Sequence, residues 1–181
     1  YFDGSKSDMS GTSEVDQSTL LTQFSWDSQL RGARYDSRVV ANVSHTRDFL
    51  DSAENPNINS LSGQVKDKQA GWFAKLGRQS SPGGGVLGRF DGLFAQYDVT
   101  STLQLDAVAG YNVEFTEKDT VQTQHPFWSV AADLGPYYDY LEAMPYYVRQ
   151  NADGLLDREA VGYELSFFHP RGNVFHMVDY D

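Results

Sequence analysis

Four histidines, His45, His125, His169 and His176, are the side chains best suited to ligate a metal or move a proton, and they are scattered without metal-ligand spacing. His45 beside Ser44 is the one local candidate for a base next to a nucleophile, but neighbours on a strand point to opposite faces. No enzyme activity, catalytic residue, metal or other cofactor is therefore expected. Gly83-Gly84-Gly85 invites comparison with a phosphate-binding loop. That chemistry needs a helix N-terminus directly after the glycines, and here an alternating strand follows. The three glycines are read instead as permissive turn geometry. Asp51, Glu54, Asn55 and Asn57 offer oxygens for calcium without the spacing of a calcium loop, so they are read as a solvated surface loop.

What remains is charge and its placement on strands. From Leu103 to Phe115 the odd positions are Leu, Leu, Ala, Ala, Tyr, Val and Phe, while the even ones are mostly polar. A period of two sustained this long exceeds the usual globular strand of about 5–6 residues and suits a membrane strand of about 9–11. The same alternation recurs in Trp72–Leu76, Leu93–Val99, Trp128–Leu134 and Val161–Phe167. Tyr138 to Gln150 is aromatic on both faces, and Pro145 there points to an edge, a bulge or a misplaced boundary. Val174 to Asp181 has no assignable face.

Ten strands are expected, at about 20–34, 37–47, 58–67, 70–79, 86–98, 103–115, 126–134, 138–150, 158–168 and 173–181. The links near 35–36, 68–69, 100–102, 135–136 and 170–172 are short. Those at 46–57, 79–85, 116–125 and 151–157 are longer and polar. Such alternation of short and long links is what an up-and-down membrane barrel makes from its periplasmic turns and outer loops. A sandwich or Greek key has no reason to keep that parity. The fold class expected is all-β, an antiparallel up-and-down transmembrane β-barrel with about ten strands visible. Residues 1–19 are expected to be a polar loop or tail after a truncated strand, and residues 20–181 the barrel segment. The chain opens on Tyr1 and closes on Asp181 within a rising strand, so an interior window of a larger barrel is expected, with a complete small domain as the alternative.

Composition agrees with a folded wall and excludes several other classes. The 181 residues are 40% apolar and 14% aromatic, with a net charge of −11 and no cysteine. The charge repels nucleic-acid phosphates, and the missing thiols remove disulfides and cysteine nucleophiles. No apolar stretch approaches the roughly 18 residues of a membrane helix.

Several local stretches resemble one family. Gly77-Arg78-Gln79, the run Gly83-Gly84-Gly85-Val86-Leu87-Gly88-Arg89-Phe90-Asp91-Gly92, and Asp153 to Gly162 carry the likeness, with Phe167-Phe168-His169-Pro170-Arg171 and Val178 to Asp181. Together they resemble the porin-like outer-membrane β-barrel of Gram-negative bacteria, of the type found C-terminal to tetratricopeptide repeats and related to polysaccharide-export barrels. The resemblance spans roughly Leu20 to Asp181. It implies a bacterial outer-membrane location and passive passage of ions or small polar solutes. Its partners would be outer-membrane lipid and the solute, with a periplasmic tetratricopeptide-repeat region or partner. Some relatives of such architectures export exopolysaccharide, which leaves a polymer-guiding barrel as an alternative. A soluble extracellular β-sandwich that binds ligands is the second alternative.

Within the barrel reading, Leu93, Ala95, Tyr97, Leu103, Leu105, Ala107, Tyr111, Val113, Phe115, Val161, Tyr163, Leu165 and Phe167 are expected to face lipid. Gln96, Asp98, Gln104, Asp106, Asn112 and Glu114 are then expected to line the pore, with Arg78 and Arg89 as an opposed cationic patch. Charges so placed either select ions or pair as struts in the wall, Arg89 with Asp91 being the expected strut. Gly83, Gly84 and Gly85 form the candidate constriction loop. Trp72, Tyr111, Phe115, Trp128, Tyr137, Tyr138, Tyr146 and Tyr147 are expected as interfacial girdles, against a soluble core or a carbohydrate platform.

Overall fold

A computed structural model of the chain describes residues 2–8, 13–49, 54–113 and 120–181, with side chains from residue 18 onward. Among the described residues eleven strands follow one another in a single antiparallel sheet, each paired to its neighbours in sequence. They are β1 (Phe2–Asp8), β2 (Ser13–Arg31), β3 (Tyr35–Asp48), β4 (Glu54–Asp67), β5 (Trp72–Ser80) and β6 (Arg89–Asp98). Then come β7 (Leu103–Asn112), β8 (Pro126–Tyr137), β9 (Leu141–Ala152), β10 (Leu155–His169) and β11 (Gly172–Tyr180). The up-and-down all-β architecture is as expected. The sheet is open, with β1 and β11 as its edges.

Two boundaries differ from expectation. The stretch read as a polar loop before Leu20 contributes β1 and the first turns of β2, paired from Phe2↔Leu20 to Asp8↔Ser13. Ladder hydrogen bonds are made by backbone, so a Ser-, Asp- and Gln-rich segment extends a hairpin without showing apolar alternation. Residues 151–157, read as a long loop, form a tight turn at Asp153-Gly154, both with positive φ. The strict alternation of link lengths is thereby broken at one place. The links at the other end of the sheet, near 32–34, 68–71, 99–102, 138–140 and 170–171, are all short. Pro145 sits inside β9, where the β8–β9 pairing skips from Ala131↔Tyr146 to Leu134↔Ala143. A residue without an N–H is tolerated where the ladder is already interrupted.

Residues directly opposite in an antiparallel ladder share a face, so the registers sort every side chain. One row runs Val65, Ala74, Ala95, Ala107, Val130, Tyr147, Val161 across seven strands. Leu76 and Leu93 lie in the next row of the same face. Nothing described covers this open face: Leu76, Leu93, Leu105, Val130 and Val161 are all exposed, Leu76 at 64%. The opposite face carries a row of Gln64, Lys75, Phe94, Val108, Ser129, Val148 and Ala160. It buries Phe90, Phe94, Val108 and Phe127 together with Val86 of the β5–β6 loop. Phe90 meets Phe127 edge to face at 5.3 Å, a favoured aromatic geometry.

The buried face is concave because of a glycine row. Gly77, Gly92 and Gly110 are direct partners on β5, β6 and β7. A Cβ on Gly92 would stand 2.2 Å from the Ala109 carbonyl oxygen, and one on Gly110 would stand 2.5 Å from that of Asp91. Each strand therefore occupies the space a side chain of its neighbour would need, and the sheet folds sharply along this line.

Asp67 ties the short turns together at the strand end. Its carboxylate accepts from the Gln69 and Ala70 N–H groups at 2.9 and 3.0 Å, and Arg34 donates to it from the β2–β3 turn at 3.0 Å. The Arg34 guanidinium first, then the two turn amides, pull this carboxyl from its ordinary 3.8 to about 2, against the opposing effect of burial. A carboxyl depressed in the fold stabilises fully above its ordinary value, and the contribution disappears as pH falls toward about 2. Asp67→Asn is expected to be less stable than the parent above pH ~4 and indistinguishable from it near pH 2. Acid-unfolding curves of the two proteins check this; parallel curves through that window contradict it.

Candidate functional site

The β5–β6 loop, Ser81 to Gly88, does not extend away from the sheet. It doubles back across the concave face and reaches β10, the fourth strand beyond β6. Its root is apolar: Val86 enters the cluster of Phe90, Phe94, Val108 and Phe127. Its tip is held by polar contacts. The Ser129 hydroxyl donates to the Gly84 carbonyl at 2.8 Å, and the Gly84 N–H donates to Glu164 at 3.1 Å. Arg158 donates to the Gly85 carbonyl at 2.7 Å and is itself paired with Asp179. Gly85 has φ of 74° and lies on the Tyr146 ring, where a Cβ would be 2.3 Å from Cε2. Only glycine meets both conditions. The triple glycine is thus a turn that lets backbone approach an aromatic ring, and a strand follows it.

Below the loop the concave face turns acidic. Asp98, Asp106, Asp133 and Glu142 lie there with Gln96 and Gln104. Asp98, Gln104, Asp133 and Glu142 border a groove of about 470 Å³ at the short-turn end. The Asp106 Oδ1 is buried without a hydrogen-bond partner. On β3 to β5 the same face carries Arg38, Lys66 and Lys75. Arg38 is paired with Asp27. These three cations stand on β3 to β5, and the four carboxylates named above stand on β6 to β9.

The registers place the remaining expected residues. Gln96, Asp98, Gln104, Asp106 and Asn112 share the concave, loop-bearing face. Leu93, Ala95, Tyr97, Leu103, Leu105, Ala107, Tyr111, Val161, Tyr163, Leu165 and Phe167 share the open one, with Val113 just beyond the end of β7. Glu114 and Phe115 lie outside the described residues.

The arginines depart from the expected patch. Arg78 is opposite Asp91, and Arg89 opposite Ser80, in line with Leu76 and Leu93 on the open face. Arg78 donates to both oxygens of Asp91, at 2.8 and 2.7 Å, and is only 5% exposed. The strut is therefore Arg78 with Asp91, because directly opposed residues are closer than i and i+2 on one strand. Arg89 instead donates to Asn59 at 3.1 Å. Ile58, Leu61, Leu76, Tyr111 and Val121 surround the ion pair in a cleft of about 370 Å³. The positive side of the concave face is supplied by Arg38, Lys66 and Lys75.

Two aromatic pairs stand near opposite strand ends of the open face. Trp72 pairs with Tyr97 toward the short-turn end of the open face, and Trp128 contacts Tyr147 at 5.1 Å toward the other. Tyr146 is a correction: it is buried on the concave face under the loop, wedged between Gly85 and Gly162. Sequence reasoning missed the loop's seat and its anchors, Ser129, Tyr146, Arg158 and Glu164. A partial signal was present, since Phe94 and Val108 are apolar residues in the otherwise polar register. No protein-family model matches this chain, and no curated protein is significantly similar to it.

Proposed function

We propose that this sheet is part of the wall of an outer-membrane channel, a porin-like barrel of a Gram-negative bacterium, through which ions or small polar solutes pass. The observation that carries the reading is the open face. Its exposed apolar rows cross seven neighbouring strands. Water-soluble monomers rarely expose a contiguous apolar patch beyond a few hundred Å². Lipid removes that cost, and a closed sheet satisfies its own backbone in the bilayer. Trp72 and Tyr97 near one end of the strands, with Trp128 and Tyr147 near the other, suit the two headgroup levels. In this reading the concave face lines the lumen, the Ser81–Gly88 loop narrows it, and Arg78 with Asp91 is a compensated pair in the lipid-facing wall. The resemblance in Gly83–Gly92 points the same way. A soluble sandwich needs a second sheet against the face of Leu103, Leu105 and Ala107, and none packs there among the described residues.

Folding of the parent protein into detergent, followed by heat-modifiability on a gel, tests the wall. A detergent-free monodisperse protein sinks the reading. Planar-bilayer recordings test the lumen. A unit charge met at about 7 Å in water is worth about 0.6 kcal/mol, close to RT. Asp98→Asn with Asp106→Asn is expected to lower the cation-to-anion permeability ratio roughly sevenfold per charge removed, since each charge acts on the two ions with opposite sign. An unchanged reversal potential removes these residues from the path. Polymer uptake without ion conductance would favour the exopolysaccharide-guiding alternative.

A further inference from the structure

We propose that Glu164 and Arg158, on one strand of the wall, set the size limit of the passage by holding the tip of the Ser81–Gly88 loop in a single position. This rests on the channel reading and names what controls the width of that channel. The loop belongs to the β5–β6 hairpin, yet its tip lies against β8, β9 and β10. A segment laid so far from its own strands stays there only if its backbone polar groups find partners. Two of its three polar partners come from β10. Glu164 accepts from the Gly84 N–H at 3.1 Å, and Arg158 donates to the Gly85 carbonyl at 2.7 Å. Arg158 is not free to swing away, because Asp179 of β11 holds the other side of its guanidinium.

The anchoring is divided in a way that separates width from folding. The root of the loop is seated by Val86 in the phenylalanine cluster, which β10 does not touch. The tip rests on the smaller cluster of Tyr146, Val148 and Ala160 through the Tyr146 ring, and Gly83 lies 3.6 Å from Glu164 measured at its would-be Cβ. Loss of the β10 contacts therefore leaves the tip on one hydrogen bond from Ser129 and the face of the Tyr146 ring, too little to fix its height, while the root and wall remain. A freed tip no longer occupies one height above the concave face, and larger solutes pass. Glu164 and Arg158 are positioning residues, acting through the loop.

The test uses the full parent protein in proteoliposomes, with a monosaccharide and a tetrasaccharide as solutes. The ratio of their uptake rates reads width and does not depend on how many channels folded. Glu164→Ala removes the acceptor, and Glu164→Gln keeps a carbonyl oxygen for the Gly84 N–H while removing the same charge. Glu164→Ala is expected to raise the tetrasaccharide-to-monosaccharide ratio about tenfold, the size of one lost hydrogen bond to a charged group. Glu164→Gln is expected to stay close to the parent ratio. Where Glu164→Ala fails to fold, Glu164→Ser is polar but too short to reach the loop and carries the same expectation. A conducting parent whose ratio is unchanged in these variants overturns the proposal and leaves the channel reading standing. A parent that passes neither solute nor ions overturns both.

Discussion

Arg78→Leu is expected to destabilise the folded protein by about 3–5 kcal/mol, the cost of leaving a buried charge without its partner. Asp91 receives two guanidinium hydrogen bonds, and the pair is enclosed by Leu61, Leu76 and Tyr111. Once Arg78 is gone, nothing in that apolar cleft replaces the donated bonds. Arg78→Leu combined with Asp91→Leu is expected to recover most of the loss, since a desolvated ion pair exchanged for packed apolar groups is often neutral or better. The measurement is a set of four urea-unfolding curves in detergent: parent, two single variants and the double variant. A double variant as unstable as the sum of the singles would show that the pair contributes net stability where it stands. In the channel reading the expectation sharpens, because the cleft opens toward lipid and offers the orphaned carboxylate no water.

The second large effect lies on the glycine row. Gly92→Val is expected to abolish the folded, heat-modifiable species, and Gly92→Ala to lower stability by several kcal/mol, beyond the ~0.5–3 kcal/mol of ordinary substitutions. A Cβ at Gly92 would meet backbone on β7 at 2.2 Å and the Gly110 Cα at 2.6 Å, and neither yields as a side chain would. The sheet would have to flatten between β6 and β7. Flattening separates Phe94 from Val108 and unseats Val86, so the loop would be lost with the bend. Gly63→Ala is the control, because a Cβ there meets nothing within 4 Å. It is expected to leave stability within about 1 kcal/mol of the parent, with alanine favoured slightly by its lower unfolded-state entropy. Equal behaviour of Gly92→Ala and Gly63→Ala would refute the role assigned to the row.

Much of the wall was legible because strand side chains alternate with a period of two. Leu93, Leu105 and Val161 were placed together, and Gln96, Asp106 and Asn112 opposite them, by counting alone. Charge misled at the strand ends. Arg78 is in step with Leu76 and Arg89 with Leu93, so counting alone puts both on the apolar face, where Asp91 and Ser80 stand opposite them. Tyr146 failed for a different reason. Its strand is aromatic on both faces, and periodicity cannot rank two apolar faces. β1 was missed because its residues carry no apolar alternation, while its ladder is made by backbone.

By itself the sequence determined an antiparallel all-β chain of long alternating strands joined in order, one face apolar and the other mixed. Those are local properties, set by residue spacing and by short links that leave consecutive strands no other neighbour. Only the tertiary structure decided where the Ser81–Gly88 loop lies and which groups hold it. Glu164 is 80 residues from Gly84 in sequence, and Arg158 is 73 from Gly85. Contacts at that distance come from the loop crossing the concave face of the sheet to β10. Whether three glycines form a floppy tip or a seated one is settled by the ring of Tyr146 beneath them together with Ser129, Arg158 and Glu164 around them, and no spacing along the chain encodes it.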